Sequence, residues 1–313
     1  MVASCNGQRP VISERVPWPA ITSHYFEENM AEDIIGNYRL VKCLLTGQMS
    51  QVWEVVETSS HRHFAMKLLL PEKAADSESR RMLYHEARVG LEMRHPNVIR
   101  IVYVSEEKVN HYFVMEYFPS GSLKVRLINK QYDFIRERAH NILKQAATGL
   151  AYINASGWVH RDIKPDNLLV NSAGELRIID FAIAQRVQES SFFGRLFRRK
   201  KAVQGTRSYM SPEQIRGDFL DGRADVYSFG ATMYELVTYR PPFRADTQQG
   251  LLQKHIVEKP PPPLFLCENL TQEFNDLVLR CLAKKRDDRP ASFHEVLKAL
   301  NQIRVYKNDP VRK

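Results

Sequence analysis

The sequence predicts an α+β protein with two lobes: a small, antiparallel, β-rich lobe that holds one helix, and a larger, mainly helical lobe. Short runs of apolar and β-branched residues dominate residues 38–117. Apolar residues at helical spacing dominate residues 120–305, and the turn-forming Pro119-Ser120-Gly121 separates the two regions. A cleft between two such lobes is a natural ligand site.

Strands and one helix account for the first region. Turn-like segments of Ser, Thr and His separate the apolar runs, which predicts an antiparallel meander with strands within 38–56, 64–70, 99–105 and 112–117. A charged segment of helical pattern predicts a helix over 77–93. His95-Pro96-Asn97 ends it, because the residue before a proline is disfavoured in the helical region.

Helices dominate the second region. Apolar residues on one face predict a buried helix over 133–156, and further helices are expected over 223–239, 271–283 and 291–304. Four consecutive prolines at 260–263 predict an extended connector. We place the domain at 36–305, with lobes at 36–117 and 120–305, between an irregular extension at 1–35 and a tail at 306–313.

The composition and charge of the chain indicate where the protein is located and which classes of partner it binds. The 313 residues carry a net charge of +9, but the basic residues are scattered, so we expect a solvated surface and no nucleic-acid partner. Four cysteines lack metal-ligand spacing, which indicates free thiols in a reducing compartment. No run approaches ~20 apolar residues and no secretory signal pattern is present, so the sequence predicts a cytoplasmic protein without a transmembrane segment.

Acidic and amide side chains concentrate in two segments of the second region. The run from His160 to Asn167 is a polar cluster between apolar runs, and Asp180-Phe181-Ala182 follows a strand-like run. Two acids and an amide suit Mg²⁺, which takes one or two carboxylates, waters and substrate phosphates. In the first region, Lys67 lies on a predicted strand and Glu86 on the helix that follows it.

Together, these motifs resemble the eukaryotic-type (Hanks-type) protein serine/threonine kinase domain, over residues 38–304 and most closely in its bacterial members. The resemblance implies that Lys67 holds the α- and β-phosphates of ATP, with Glu86 as its ion-pair partner. It implies that Asp162 accepts the proton of the substrate hydroxyl. Asn167 and Asp180 would bind Mg²⁺, with Mn²⁺ as an alternative metal.

Further matches imply how the site is supported and what it acts on. Lys164 would neutralise the transferring γ-phosphate. Thr206 and Ser211-Pro212-Glu213 resemble the segment that docks protein substrates in serine/threonine kinases. Asp225 resembles the helix aspartate that braces the catalytic loop, and Arg289 resembles the arginine that pairs with Glu213.

The resemblance also implies a nucleotide site along the cleft. Residues 116–118 would form the hinge between the lobes, and Met115 would control access to the back of the pocket. The implied nucleotide contacts are Leu44, Leu45, Gly47, Val52, Ala65, Lys67, Met115, Glu116, Phe118 and Leu169.

The glycine-rich loop departs from the family pattern. Its three expected glycines fall at Leu45, Gly47 and Ser50, so one remains. Glycine allows backbone amides to approach phosphate closely, and we therefore expect a stiffer loop that covers ATP less well. This departure favours an alternative function, an ATP-binding pseudokinase scaffold with weak or no transfer activity. The polar residues of the catalytic set are nevertheless all retained.

A second departure lies on the helix that carries Glu86. Gly90 stands where the family has a bulky apolar residue against Phe181, so the sequence predicts a gap beside His160, Phe181 and Ile101. The alternative is that a neighbouring side chain such as Met93 fills this space.

The segment between the metal-binding and substrate-docking motifs carries two hypotheses. The run from Phe192 to Lys201 is amphipathic and basic, which suits either contact with a membrane surface or acidic partner, or packing on the cleft of the chain itself. Arg161 needs an anion to hold it, and phosphorylation at Ser190 or Ser191 would supply one. Glu189 is the alternative, as a fixed anion.

Overall fold

The computed structural model describes residues 34–105, 107, 109–187 and 205–310. It confirms the predicted fold class, because a curled antiparallel sheet with two helices precedes a mainly helical lobe. No helix of the described part is long and apolar enough to cross a bilayer.

The first lobe is built on a six-stranded antiparallel sheet in the order β1-β2-β3-β4-β6-β5. Its strands are β1 (Ile34–Ile35), β2 (Tyr38–Thr46), β3 (Ser50–Glu57), β4 (His63–Leu69), β5 (Ile101–Val104) and β6 (Tyr112–Glu116). Their apolar side chains alternate between the two faces, and one face packs against helix α2 with Leu69, Ile101 and Phe113 buried.

The strand predicted over 99–105 is shorter than expected. Its first residues pair with the second lobe instead: the Ile99 amide donates to the carbonyl of Ile178 at 2.9 Å, and the Ile178 amide donates to that of Asn97 at 2.8 Å. Because the Ile99 amide is used in this contact, it is not available to pair with β6. The exchange ties the two lobes together beside the cleft.

Two helices complete the first lobe, α1 (Pro71–Ala74) and α2 (Ser77–Glu92). Asp76 caps α2, since its carboxylate accepts the Ser79 amide at 2.9 Å and so satisfies a donor that the helix leaves open. The helix ends just before His95-Pro96, as the sequence predicts.

The second lobe contains seven α-helices within the described residues, and the buried α4 and α6 form its centre. These helices are α3 (Leu123–Ile128), α4 (Tyr132–Ala155), α5 (Pro212–Arg216), α6 (Gly222–Thr238), α7 (Gln248–Val257), α8 (Gln272–Cys281) and α9 (Phe293–Gln302). The four helices predicted in this lobe are confirmed, and each of their ends lies within two residues of the predicted position.

Five short strands lie on the cleft side of the helical lobe. They are β7 (Gly121–Ser122), β8 (Trp158–Val159), β9 (Leu168–Val170), β10 (Leu176–Ile178) and β11 (Gln185–Arg186). β9 pairs with β7 and β10, while β8 pairs with β11. The polar segments of the sequence therefore lie in the connections between these strands.

Packed structure extends slightly beyond the proposed domain limits. Ile34–Ile35 form the edge strand β1, inside the extension placed at 1–35. At the other end, Tyr306 is buried and bridges to Leu270, one residue into the tail placed at 306–313.

Candidate active site

Asp162 is the most densely hydrogen-bonded group in the loop between β8 and β9. One of its carboxylate oxygens accepts the Thr206 amide at 3.0 Å. The other accepts Lys164 Nζ at 2.6 Å and Asn167 Nδ2 at 3.1 Å. Lys164 Nζ also contacts Thr206 Oγ1 at 2.6 Å. Charge-assisted bonds of this kind are short and directional, so they fix the carboxylate in one orientation.

Asp225 on helix α6 holds the backbone of this loop in place. Asp225 is fully buried, and its two oxygens accept the amides of His160 and Arg161, each at 2.8 Å. Burial raises the pKa of Asp225, although these hydrogen bonds favour its ionised form. The contact lets Arg161 keep a φ of +72°, a left-handed conformation that costs a non-glycine residue free energy.

His160 links this loop to the segment that carries Asp180. Its Nδ1 accepts the Asp162 amide at 3.3 Å, so Nε2 carries the proton and donates to the Ile179 carbonyl at 3.1 Å. Its ring packs on the buried ring of Phe181, with centroids 5.2 Å apart. Asp180 has a φ of +71°, and one of its oxygens accepts the Ala182 amide at 3.2 Å.

Lys67 on β4 and Glu86 on α2 form an ion pair, with Nζ 2.6 Å from Oε2. Burial acts to lower the pKa of Lys67, but the carboxylates of Glu86 and Asp180 outweigh burial, so this pKa is raised. Burial and the negative charge of Asp180 raise the pKa of Glu86 to about 7, against the opposing effect of Lys67. One ammonium group therefore faces two carboxylates.

This surplus of negative charge suits a divalent cation. Asn167 uses its amide nitrogen on Asp162, which leaves its carbonyl oxygen as the atom that could bind a metal. No group of three or more His, Cys, Asp or Glu side chains forms a metal cage within the described residues. A site with one carboxylate and one amide fits Mg²⁺, which usually keeps waters and takes further ligands from substrate phosphates.

A cavity of about 240 Å³ brings together predicted site residues of the two lobes, although Lys164 and Asn167 are not among the residues that line it. Lys67, Glu86, Asp162 and Asp180 all line it. The other residues around it are Met49, Ser50, Leu69, Ser79, Met82, Leu83, Ala182, Ile183 and Gly205. Sequence reasoning missed Ser79, Met82 and Leu83, yet they fall at the i, i+3 and i+4 positions that place them with Glu86 on one helix face.

The other predicted nucleotide contacts lie on neighbouring strands and on the connection between lobes. Val52 is opposite Lys67, and Ala65 is opposite Met115. Leu169 lies on β9 opposite Ser122. Leu44, Leu45 and Gly47 lie at the end of the β2–β3 hairpin, and Phe118 follows β6.

Glu116 ties the predicted hinge to the second lobe. Its Oε1 accepts Arg177 Nε and the Arg100 amide, each at 3.1 Å, and the Arg177 guanidinium lies 4.8 Å from the ring centroid of Phe118. Through Arg177, these contacts connect the predicted hinge to strand β10 of the second lobe.

The glycine-poor hairpin is formed without backbone strain. The Gly47 amide donates to the Ser50 carbonyl at 2.9 Å, and neither Leu45 nor Ser50 has a positive φ. The side chain of Leu45 is 64% exposed. At its tip, Met49 reaches into the lobe: its carbonyl accepts the Leu70 amide at 2.9 Å, and its sulfur lies 3.7 Å from Ser79 Oγ.

The gap predicted beside Gly90 is not present. The side chain of Ile101, on the facing strand β5, lies over Gly90, and its Cγ1 is 2.9 Å from the position that a β-carbon would take. The filler is Ile101 rather than Met93. A small residue at 90 is required because β5 runs close to the helix.

Two hypotheses concern residues outside the described part of the chain. The phosphorylation sites Ser190 and Ser191 and the basic run from Phe192 to Lys201 all fall within 188–204. Arg161, which would meet such an anion, is described. Its Nη1 donates to the Ile183 carbonyl at 3.0 Å, and its buried Nε has no partner among the described residues.

The predicted pairing of Arg289 with Glu213 is present. Two parallel bonds of 2.6 and 2.9 Å join the guanidinium to the carboxylate, and both groups are buried. They fasten α5, which contains Glu213, to the segment between α8 and α9 that carries Arg289.

Comparisons with known proteins agree with this geometry. A family model described as "Protein kinase domain" matches residues 38–300. The chain is 32% identical over 265 residues to the probable serine/threonine-protein kinase SCO3848 of Streptomyces coelicolor, covering 83% of this chain and 39% of that protein. It is 31% identical over 277 residues to the serine/threonine-protein kinase PknB of Mycobacterium tuberculosis, with coverage of 87% and 43%.

A third relative is the probable serine/threonine-protein kinase CPE1738 of Clostridium perfringens, 33% identical over 282 residues, with coverage of 90% and 40%. The chain thus spans about two fifths of the length of the curated relatives it matches. All three are bacterial, as the resemblance predicted. The family match, the bilobal fold and the residues around the cavity lead to one conclusion: the chain belongs to the protein kinase domain family of the eukaryotic (Hanks) type.

Proposed function

We propose that this domain is a protein serine/threonine kinase that transfers the γ-phosphoryl group of ATP to Ser or Thr hydroxyls of protein substrates. One observation carries the proposal: Lys164, Asn167 and the Thr206 amide orient Asp162, which lines one cavity together with Lys67 and Asp180. The names of the relatives support the same reaction.

Each group has a defined task in this proposal. Asp162 accepts the proton of the substrate hydroxyl, and the hydroxyl oxygen attacks the γ-phosphorus of ATP. The bond between the γ-phosphorus and the bridging oxygen of the β-phosphate breaks, and ADP leaves. Lys67, held by Glu86, binds the phosphates, and Lys164 offsets charge on the transferring group. Asn167 and Asp180 would hold Mg²⁺, or Mn²⁺, which neutralises phosphate charge when bound.

Protein substrates are favoured over small molecules because Thr206 connects the catalytic base to the docking segment. The backbone amide of Thr206 bonds Asp162, and its hydroxyl bonds Lys164. A peptide seated along residues 206–211 would therefore be in register with Asp162. We place the reaction in the cytoplasm, which provides ATP and suits the free thiols of Cys43, Cys267 and Cys281.

Comparison of the parent protein with Asp162→Asn tests the proposal, using labelled ATP and a generic protein substrate. Loss of a positioned general base should lower turnover by about 10²–10⁴. Mg·ATP binding should persist, because Asp162 does not hold the nucleotide. Equal turnover in both proteins would instead assign the chain to the second candidate, an ATP-binding pseudokinase scaffold.

A further inference from the structure

One side of helix α2 contacts strand β8, which precedes the loop of Asp162, and the segment 184–186, which follows Asp180. His85 and Glu92 are seven residues apart, so they project from one side of the helix, about 10 Å from each other along its axis. His85 Nε2 donates to the Ala184 carbonyl at 2.8 Å. Glu92 Oε2 accepts Trp158 Nε1 at 3.1 Å and Arg186 Nη2 at 2.7 Å.

Trp158 and Arg186 are partners in the β8–β11 ladder, where they lie directly opposite each other. The Arg186 guanidinium also lies 4.8 Å from the indole ring of Trp158, which adds a cation–π contact. Glu92 therefore binds both members of one cross-strand pair. This arrangement exists only when β11 is paired with β8.

The two strands are close in sequence to the groups that do the chemistry. β8 ends at Val159, next to His160 and three residues before Asp162, and β11 begins shortly after Asp180-Phe181-Ala182. At the same time, Glu86 follows His85 on α2. A shift of α2 away from the ladder would thus separate Glu86 from Lys67, whose contact spans 2.6 Å.

We propose that Glu92 and Arg186 are a positioning pair that holds α2, and with it the Lys67–Glu86 ion pair, in the catalytic arrangement while β11 is paired with β8. This inference rests on the proposed kinase function. An ion pair whose side chains are 42% and 59% exposed contributes little to global stability, so its effect should be on the position of α2 rather than on folding.

The chain offers a matched control. Arg280 and Glu295 form a second ion pair of 3.0 Å, with side chains 54% and 46% exposed, in the helical lobe away from the cleft. The test uses the full chain with Arg186→Ala, Glu92→Ala, the double variant, the conservative Arg186→Lys, and the control Arg280→Ala.

We expect Arg186→Ala and Glu92→Ala each to lower kcat about 10-fold, because misplacement of catalytic groups by less than an ångström is costly. The melting temperature of Arg186→Ala should stay near the parent value, whereas that of Glu92→Ala should fall slightly, because this change leaves the buried indole nitrogen of Trp158 without its acceptor. The double variant should be no worse than either single variant, since the pair acts as one unit. Arg186→Lys should keep most of the activity, and Arg280→Ala should equal the parent.

Amide hydrogen exchange of α2 gives a readout that does not depend on phosphoryl transfer. Exchange over 77–92 should rise in Arg186→Ala and Glu92→Ala but not in Arg280→Ala. A parent that lacks transferase activity but shows this exchange pattern would refute the kinase function and leave the docking of α2 supported. Parent-like exchange in both variants, or a double variant whose fold loss of kcat is the product of the two single losses, would overturn the positioning role.

Discussion

The side chain of Ile101 occupies the space above Gly90, with its Cγ1 2.9 Å from where a β-carbon on residue 90 would lie. Helix α2 and strand β5 are thus packed in direct contact at this position. The position demands a small residue, and the helix accepts the conformational cost of glycine in return for a close approach.

Gly90→Leu should therefore destabilise the protein by about 1–3 kcal/mol, because a larger side chain overpacks the site against Ile101. Urea unfolding measures the loss. Ile101→Ala in the same chain should recover part of it by making room. Gly121→Ala is the matched control, since its β-carbon would meet Val125 at an ordinary 3.8 Å. If Gly90→Leu is as stable as the parent, Ile101 moves aside freely and the contact is not restrictive.

The raised pKa of Glu86 predicts a pH dependence of stability. The pKa of Glu86 is about 7 in the folded protein and 4.5 ordinarily. Between these two pH values, Glu86 is protonated in the folded state and ionised in the unfolded chain. The stabilisation from that proton is complete below pH 4.5 and is lost as the pH rises through about 7. In urea titrations at several pH values, Glu86→Gln should show a flatter profile over this window.

The same group predicts the opposite trend for activity. Protonated Glu86 cannot pair with Lys67 as an ion, so kcat/KM should rise as the pH increases through about 7. In Glu86→Gln this rise should disappear from an activity that is already low. A parent profile parallel to that of the variant in both measurements would contradict the raised pKa.

Loss of Arg289 should be severe. Arg289→Met leaves the carboxylate of Glu213 buried without a partner, which typically costs ~3–5 kcal/mol. The double variant with Glu213→Gln should lose less, because no buried charge remains. Arg280→Met removes the exposed pair with Glu295 and should cost ~0–1 kcal/mol. Denaturant unfolding of the three variants measures their free energies of unfolding. Equal losses for Arg289→Met and Arg280→Met would refute the special role of the buried pair.

Phosphorylation of Ser190 or Ser191 remains a prediction from the sequence. The structure adds that the buried Nε of Arg161 has no partner within the described residues, which suits an incoming anion. Incubation with Mg·ATP followed by phosphosite mapping should find phosphate on one of these serines, and Ser190→Ala/Ser191→Ala should be less active. Full activity without phosphate on this segment would favour Glu189 as a fixed anion.

Features that a local pattern or the family resemblance carries were the most predictable from sequence. The order of helices and strands, the loop from His160 to Asn167 and the pair of Arg289 with Glu213 all follow from local patterns and from the family resemblance. Ser79, Met82 and Leu83 could also have been found, since helical spacing alone places them beside Glu86.

Contacts among three distant segments could not be predicted. Nothing in the sequence relates Glu92 to Trp158 and Arg186, because each belongs to a different element and no periodicity connects them. The filling of the space beside Gly90 depends on how closely β5 approaches α2, which is decided by packing of the whole lobe. The stiffer loop expected from Leu45 and Ser50 stays a prediction, and the structure adds that neither residue has a positive φ.

Arg161 and Asp180 adopt left-handed backbone conformations within the candidate active site, with φ of +72° and +71°. Strain of this kind costs ~1–3 kcal/mol at each residue, and glycine would relieve it. A selection for thermal tolerance alone would thus enrich glycine at 161 and 180, discarding a guanidinium and a carboxylate in the process. At these two positions, thermal stability favours glycine, whereas catalytic activity favours the arginine and the aspartate that are present.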